Sequence, residues 1–326
     1  MKRRNFIKNT AIASGAIVLP WQLSGKETAA KPKKLRFGLI TDVHQDVMHD
    51  GENRLKVFID ESNKRNLDFA MQLGDFCCPY DYNKPFMQIW EQFNGPKYHL
   101  LGNHDIDGGF TRAETMNFWG MKSRYYSFDS GGYHFIVLDG NDPNPKPWSG
   151  YNRYINKEQQ EWLKKDLAST DLTTLIFSHQ TLENEDGGVD NQKVIRQILE
   201  GANKAAGFTK VIASLCGHHH TDYMTQINGI YYVQINSASY RWVGGDHQHI
   251  RYSKEIDEKY PWIKYTIPYK DPLFTFVELN PKGYLTIEGS SSEFVGPGPK
   301  ELGIPKNAVN DPIVPKISDF KMEFSK

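Results

Sequence analysis

Leu35-Arg36-Phe37-Gly38-Leu39-Ile40-Thr41-Asp42-Val43-His44 is an apolar run that stops abruptly on a carboxylate and an imidazole. A short apolar run of this kind reads as a buried strand. The same figure recurs downstream. Phe69-Ala70-Met71-Gln72-Leu73 precedes Gly74-Asp75, Tyr98-His99-Leu100-Leu101 precedes Gly102-Asn103-His104-Asp105, and Leu172 to Phe177 precedes Ser178-His179. Val211 to Leu215 leads to Gly217-His218-His219-His220. In open α/β sheets the crevice beyond the carboxyl ends of the strands is where sites form. Polar clusters that each follow a predicted strand are therefore expected to converge on one place.

Between these strands apolar residues recur at helical spacing. Leu55, Phe58 and Ile59 form one such face, and Phe86, Ile89, Trp90 and Phe93 another. Lys157 to Leu167 and Asn191 to Leu199 also read as helices. Tyr125–Phe128 and Tyr133–Leu138 flank Gly131-Gly132 as a hairpin, and Asn228-Gly229 joins Met224–Ile227 to Ile230–Ile235 in a tight turn. A last hairpin, Phe274–Leu279 and Tyr284–Ile287, turns at Asn280-Pro281-Lys282-Gly283. Alternating strands and helices followed mainly by strands predict an α/β fold with a mixed sheet or two stacked sheets.

The 326 residues carry 39 basic and 39 acidic side chains. That balance argues against a general binder of nucleic-acid polymers or anionic membranes, which would need a basic surface. Aromatic residues make up 13%, enough to supply stacking surfaces as well as core. Arg3-Arg4 followed by Phe6-Ile7-Lys8 and the weakly apolar run Ala11 to Leu19 resemble a twin-arginine export signal over residues 1–30. The run is too short to span a bilayer, which takes ~20 residues. Export to the periplasm or the exterior is expected, with no stable membrane span after cleavage; loss of residues 1–30 would leave a net charge near −4. Cys77, Cys78 and Cys216 make no disulfide framework.

Each polar cluster alone has a plain reading: Asp-x-His a turn carboxylate with a surface histidine, Gly-Asp a turn, His179 a hydrogen-bonded core residue. Together, in this order, they form a metal-ligand set. Carboxylate oxygens and imidazole nitrogens without a required thiolate suit Mn, Zn or Fe. On a strand, residues i and i+2 share a face, so Asp42 and His44 can aim to one side, as can His218 and His220. Asp75 is the natural bridge between two cations, and Asn103 offers a neutral carbonyl ligand. Arg241 can clamp a second phosphate and Tyr240 and Trp242 can stack a base or sugar, although a loop packed by its own aromatics is the equal alternative. Asp107, Arg112 and Trp148 stand where they can shape a rim. His247 and His249 read as a solvent-facing pair, and Cys78 as a bystander thiol.

The order of these blocks resembles the calcineurin-like metallophosphoesterase family over roughly residues 35 to 290. The resemblance implies a four-layer α/β/β/α sandwich of two mixed sheets, with the site at their edge. It implies one divalent metal held by Asp42, His44, Asp75 and His220, and a second by Asp75, Asn103, His179 and His218. His104 would face the substrate, with Asp105 orienting its ring. Purple acid phosphatases of the family carry Tyr where Cys78 stands here, which argues against a purple iron centre. The hairpin, the Lys157–Leu167 helix and Ser178-His179 are similar to the manganese-dependent ADP-ribose and CDP-alcohol pyrophosphatases.

The expected activity is hydrolysis of small phosphodiesters or nucleotide-like esters by a two-metal-activated hydroxide. A phosphomonoesterase and a non-catalytic metal-binding scaffold are the alternatives. Residues 31–290 are expected to form the catalytic domain, with 240–272 as a substrate-side loop or cap and 291–326 as a tail on the surface.

Overall fold

The computed structural model describes residues 31–305 and 311–324, so the expected export signal lies outside the described residues. The first half runs β1 (Leu35–Ile40), α1 (Gly51–Asn63), β2 (Phe69–Gln72), α2 (Lys84–Trp90), β3 (Lys97–His99), α3 (Arg112–Trp119), β4 (Tyr126–Ser130), β5 (Tyr133–Val137) and α4 (Lys157–Ser169). The second half runs β6 (Thr174–Phe177), α5 (Gln192–Ala206), β7 (Val211–Cys216), β8 (Tyr223–Ile227), β9 (Ile230–Gln234), β10 (Tyr240–Trp242), α6 (Lys254–Lys259) and β11 (Thr266–Pro268). It ends with β12 (Thr275–Asn280), β13 (Tyr284–Ile287), β14 (Ser290–Ser291), β15 (Lys316–Ile317) and β16 (Phe320–Glu323).

Two six-stranded mixed sheets carry the fold, in the orders β16-β13-β12-β1-β2-β3 and β4-β5-β6-β7-β9-β8. β1 pairs parallel with β2 (Leu39 opposite Met71) and antiparallel with β12 (Phe37 opposite Val277). Strand alternation builds the layers. Leu35, Phe37 and Leu39 of β1 meet Tyr133, Phe135 and Val137 of β5 in the core between the sheets. The opposite face of the first sheet packs on Phe58 of α1 and Trp90 of α2; Ile136 of β5 packs outward with Leu163 of α4 and Leu199 of α5. This is the expected α/β/β/α sandwich. Phe37 stacks on Phe69 at 4.6 Å and meets Phe135 edge-on at 5.8 Å. Burying one such ring is worth ~1.5–3 kcal/mol, so this layer supplies much of the stability.

The structure departs from the sequence expectations at several elements. Residues 291–326 are more than a surface tail: β16 pairs with β13 as the edge strand of the first sheet, and Met322 and Phe324 enter the inter-sheet core. Pro and Gly in the preceding segment hide that strand from a compositional reading. α3 was not expected either, because few of its side chains are buried; its start is a capping box between Thr111 and Glu114. Residues 240–272 form the β10–β11 hairpin with α6 between its strands, and Tyr240 and Ile263 pack on Met48 beside the segment after β1. No helix among the described residues is long and apolar enough to cross a membrane.

Candidate active site

The segments after β1, β2, β3, β6 and β7 meet at one edge of the two sheets. The backbone N–H of Asp42 donates to Gly74 O (3.0 Å) and that of His44 to Asp75 O (2.9 Å), extending the β1–β2 pairing beyond the strands. The local conformation differs from the one expected. Six non-glycine residues among those described take a left-handed φ, and five are Asp42 (52°), His44 (49°), Asp75 (51°), His218 (71°) and His220 (50°). The sixth, Asn228, makes the expected Asn-Gly turn. Asp42 with His44, and His218 with His220, thus lie past the strand ends, and left-handed turns rather than strand periodicity bring each pair together. Such residues cost on the order of 1–3 kcal/mol each and persist where the surroundings over-determine them.

The glycines of the motifs permit this crowding. A Cβ on Gly74, itself at φ 96°, would lie 2.6 Å from His179 Nδ1, and one on Gly217 would run into the side chains of Thr41 and Asp42.

Two ligand groups result. Asp42, His44 and His220 offer donor atoms within 4.8 Å of one another, and so do Asp75, His179 and His218. His44 Nε2 stands 3.1 Å from His220 Nε2, which is itself 3.1 Å from Asp42 Oδ1. Asp75 Oδ2 lies between the groups, 3.6 Å from His44 Nε2 and 3.1 Å from His179 Nε2.

Fit to a pair of cations is tested by what these atoms lack. Both side-chain polar atoms of Asn103 are buried without a hydrogen-bond partner, which is costly unless something else binds them, and buried Nε2 of His179 has no aligned hydrogen bond although Asp75 Oδ2 stands 3.1 Å away. Backbone carbonyls hold the far ring nitrogens: His179 Nδ1 donates to Leu73 O and His220 Nδ1 to Tyr240 O, each at 2.7 Å. That tautomer leaves Nε2 lone pairs facing the cluster, as metal-binding histidines require. The donor set of oxygen and nitrogen fits Mn, Zn or Fe.

Electrostatics point the same way. Burial would raise the Asp42 and Asp75 carboxyls, but His220 beside the first and His179 beside the second outweigh it and hold both well below the usual range. Burial pushes His44 down to about 3 and His218 well below the ordinary value, so both are neutral donors. Burial also opposes charge on His179, yet Asp75 lifts it to about 10: positive charge is favoured at the place a cation would take.

His104 stands outside both groups, and its backbone N–H donates to Asp75 Oδ1 at 2.9 Å. Its Nδ1 meets Asp107 Oδ2 at 2.7 Å and Tyr151 Oη at 3.1 Å. Burial works against its charge, but Asp75 and Asp107 outweigh burial and lift it to about 9. Asp105 does not orient the ring. Its carboxylate accepts the backbone N–H groups of Phe76 (2.6 Å), Gly102 (2.7 Å) and Asp75 (2.9 Å), so it braces the loops that present Asp75. The signal for Asp107 was its place three residues after His104; nothing in the sequence joined Tyr151 to His104.

Residues expected to touch substrate fare unequally. The Arg241 guanidinium is engaged by Asp311 at 2.6 and 2.7 Å and also donates to His219 O, so it ties the histidine loop down instead of standing free for a phosphate. Tyr240 is buried and stacks on His44 at 4.9 Å, supporting a ligand. Trp242 is exposed at the cleft. Asp107 lines the cleft, whereas Arg112 pairs with Asp139 and Asp142, and Trp148 Nε1 donates to Tyr151 O. His247 Nδ1 faces Leu302 O at 3.2 Å. The Cys78 thiol, raised by burial, donates to His104 O at 3.2 Å.

The calcineurin-like phosphoesterase family model matches residues 35–222. A manganese-dependent ADP-ribose/CDP-alcohol diphosphatase of Arabidopsis thaliana is 22% identical over 277 residues, covering 65% of this chain and 88% of that protein. A 3',5'-cyclic adenosine monophosphate phosphodiesterase of Haemophilus influenzae is 26% identical over 156 residues, covering 47% of this chain and 54% of its own. The crystal structure of a dimetal phosphatase from Danio rerio superposes with a TM-score of 0.60 at 14% identity, covering 89% of this chain and 99% of that one, and so shares the fold. With the match extending over more than half its length, the chain belongs to the calcineurin-like phosphoesterase family.

Proposed function

We propose that this phosphoesterase hydrolyses small phosphodiesters or nucleotide-like diphosphates, with Asp42, His44, Asp75 and His220 holding one divalent ion and Asp75, Asn103, His179 and His218 the other. The observation that carries the ligand reading is the pair of three-residue groups with Asp75 between them. The buried, unpartnered amide atoms of Asn103 support it. Family membership makes the chain a metal-dependent hydrolase of phosphate esters that works with two divalent ions. Such a pair supplies an activated water and neutralises phosphoryl oxygens.

The chain's own residues do the rest. In hydrolysis a water oxygen bonds to phosphorus, the bond from phosphorus to the leaving oxygen breaks, and that oxygen takes a proton. His104, with Nδ1 engaged by Asp107 and Tyr151, has Nε2 available to give that proton. Likeness to the Arabidopsis diphosphatase over most of its length supports a nucleotide-like substrate. Export by the Arg3-Arg4 signal to the periplasm or exterior is part of the same reading, and fusion of residues 1–30 to a reporter protein checks it.

The deciding assay compares bis-p-nitrophenyl phosphate with p-nitrophenyl phosphate, using protein loaded with Mn or Zn. Faster turnover of the diester is expected. Faster turnover of the monoester would replace this reading with that of a phosphomonoesterase, and absence of turnover across a broad phosphate-ester panel, diphosphates included, with metals bound would leave a non-catalytic scaffold.

A further inference from the structure

The reaction centre opens on two sides. His44, Val47, Asp75, His104, Asp107 and Trp262 line both a larger cavity of about 730 Å³ and a smaller one of about 250 Å³. The larger continues to Tyr151, Trp242 and Arg241; the smaller continues to Asp46, Cys78, Tyr80 and Tyr82. Tyr82, Trp262, Trp242 and Tyr151 are 63%, 57%, 46% and 43% exposed, an unusual gathering of uncovered rings around one cleft. A phosphorus atom carrying one organic substituent needs one such recess, and a phosphorus carrying two needs both.

The two recesses differ in charge. Asp46 lines only the smaller one, which has no Lys or Arg, whereas Arg241, held by Asp311, lines only the larger; Asp107 is common to both and meets His104 at 2.7 Å. Asp46 is held by neutral donors: the backbone N–H of Cys78 and the Asn83 amide at 2.7 Å each, and the Tyr82 hydroxyl at 3.1 Å. Among the described residues no Lys or Arg forms an ion pair with it, so its carboxylate is fixed in place with no side-chain cation beside it. Tyr80 and Tyr82 stack at 4.8 Å beside it. Carboxylate charge with aromatic faces attracts a cation and repels an anion.

We infer that the cleft takes an asymmetric phosphodiester. Its planar aromatic or heterocyclic arm lies along Trp242 and Trp262, and its other arm, against Tyr80 and Tyr82, is a small alcohol without negative charge, best an ammonium-bearing one. This rests on the phosphodiesterase reading above and adds to it which arm goes where. Trp262, common to both recesses, stands between the arms.

Two p-nitrophenyl diesters test it on the metal-loaded protein: p-nitrophenyl phosphorylcholine, whose short arm is cationic, and p-nitrophenyl 2-carboxyethyl phosphate, whose short arm is anionic. The expected kcat/KM favours the cationic arm at least tenfold, and Tyr82→Arg, a change at an exposed position, shrinks that ratio tenfold or inverts it. A ratio near one in the native protein, or one that Tyr82→Arg leaves unmoved, overturns the assignment of the arms. If bis-p-nitrophenyl phosphate is still hydrolysed in that case, the phosphodiesterase reading stands without it. If no diester is turned over, both fall together.

Discussion

The layer between the two sheets and the edge where their strands end are built on opposite terms. Between the sheets, Phe37, Phe69, Phe135 and Phe177 sit on extended strands and pack ring against ring, with no polar atom to satisfy. At the edge, five buried or half-buried polar residues take left-handed backbone, and the side-chain amide atoms of Asn103 lack partners. The first region lowers the free energy of the fold; the second costs stability that the first supplies. Residues near one another in sequence, such as Leu39 and Asp42, therefore answer to different demands.

The largest effect should come from Asp75→Ala at the edge. With the residue between both groups gone, metal content measured on the purified protein and hydrolytic activity should disappear together. Thermal stability of the metal-free protein should fall less than for a core truncation. Retained metal with full activity would break the contrast. Next is His104→Ala, which should keep the metals and lower kcat by ~10²–10⁴-fold, the usual worth of a general acid. Empty metal sites in that variant would make His104 a structural member of the cluster.

Phe135→Ala in the inter-sheet layer should behave in reverse. Its ring is fully buried, and its loss should cost about 3–5 kcal/mol in denaturant unfolding while the folded fraction keeps its metals and turnover. Loss of metal from the folded fraction would show that the layer and the edge are not separable.

The smallest effect concerns two buried histidines away from the ligands. Burial opposes charge on His134, but its hydrogen bonds to Asp166 and Asp129 prevail and raise its pKa above 6.5. Its stabilisation is therefore complete below about 6.5 and is lost as pH rises through the raised value. His99, which burial lowers to about 3, has the opposite sign: its contribution is complete above 6.5 and is lost as pH falls toward 3. Melting curves of the native protein and His134→Gln across this range should converge at alkaline pH. A constant gap would mean that the Asp129–His134–Asp166 bridge contributes nothing through charge.

Much of the fold was legible because strands buried on both faces leave short continuous apolar runs and the strand-end residues are chemically conspicuous. β1, β5, β7 and the Asn228-Gly229 hairpin lie where apolar runs and turn chemistry put them. The edge strand β16 was not legible, since four residues after a Pro- and Gly-rich stretch carry too short a pattern. Nor was α3, whose few buried side chains leave almost no apolar stripe.

At the site, the order of carboxylate, amide and imidazole groups after buried strands, with the family resemblance that order carries, pointed to the proposed ligands. What only the tertiary structure decided is how they meet and what holds them. The left-handed turns at Asp42, His44 and Asp75 sit where the β1–β2 ladder continues past Ile40, the partner of His104 proved to be Asp107 rather than Asp105, and Arg241 was drawn to Asp311. Those outcomes are competitions among hydrogen-bond partners close in space. Sequence records which groups compete, and folding settles which of them come within 3 Å of one another.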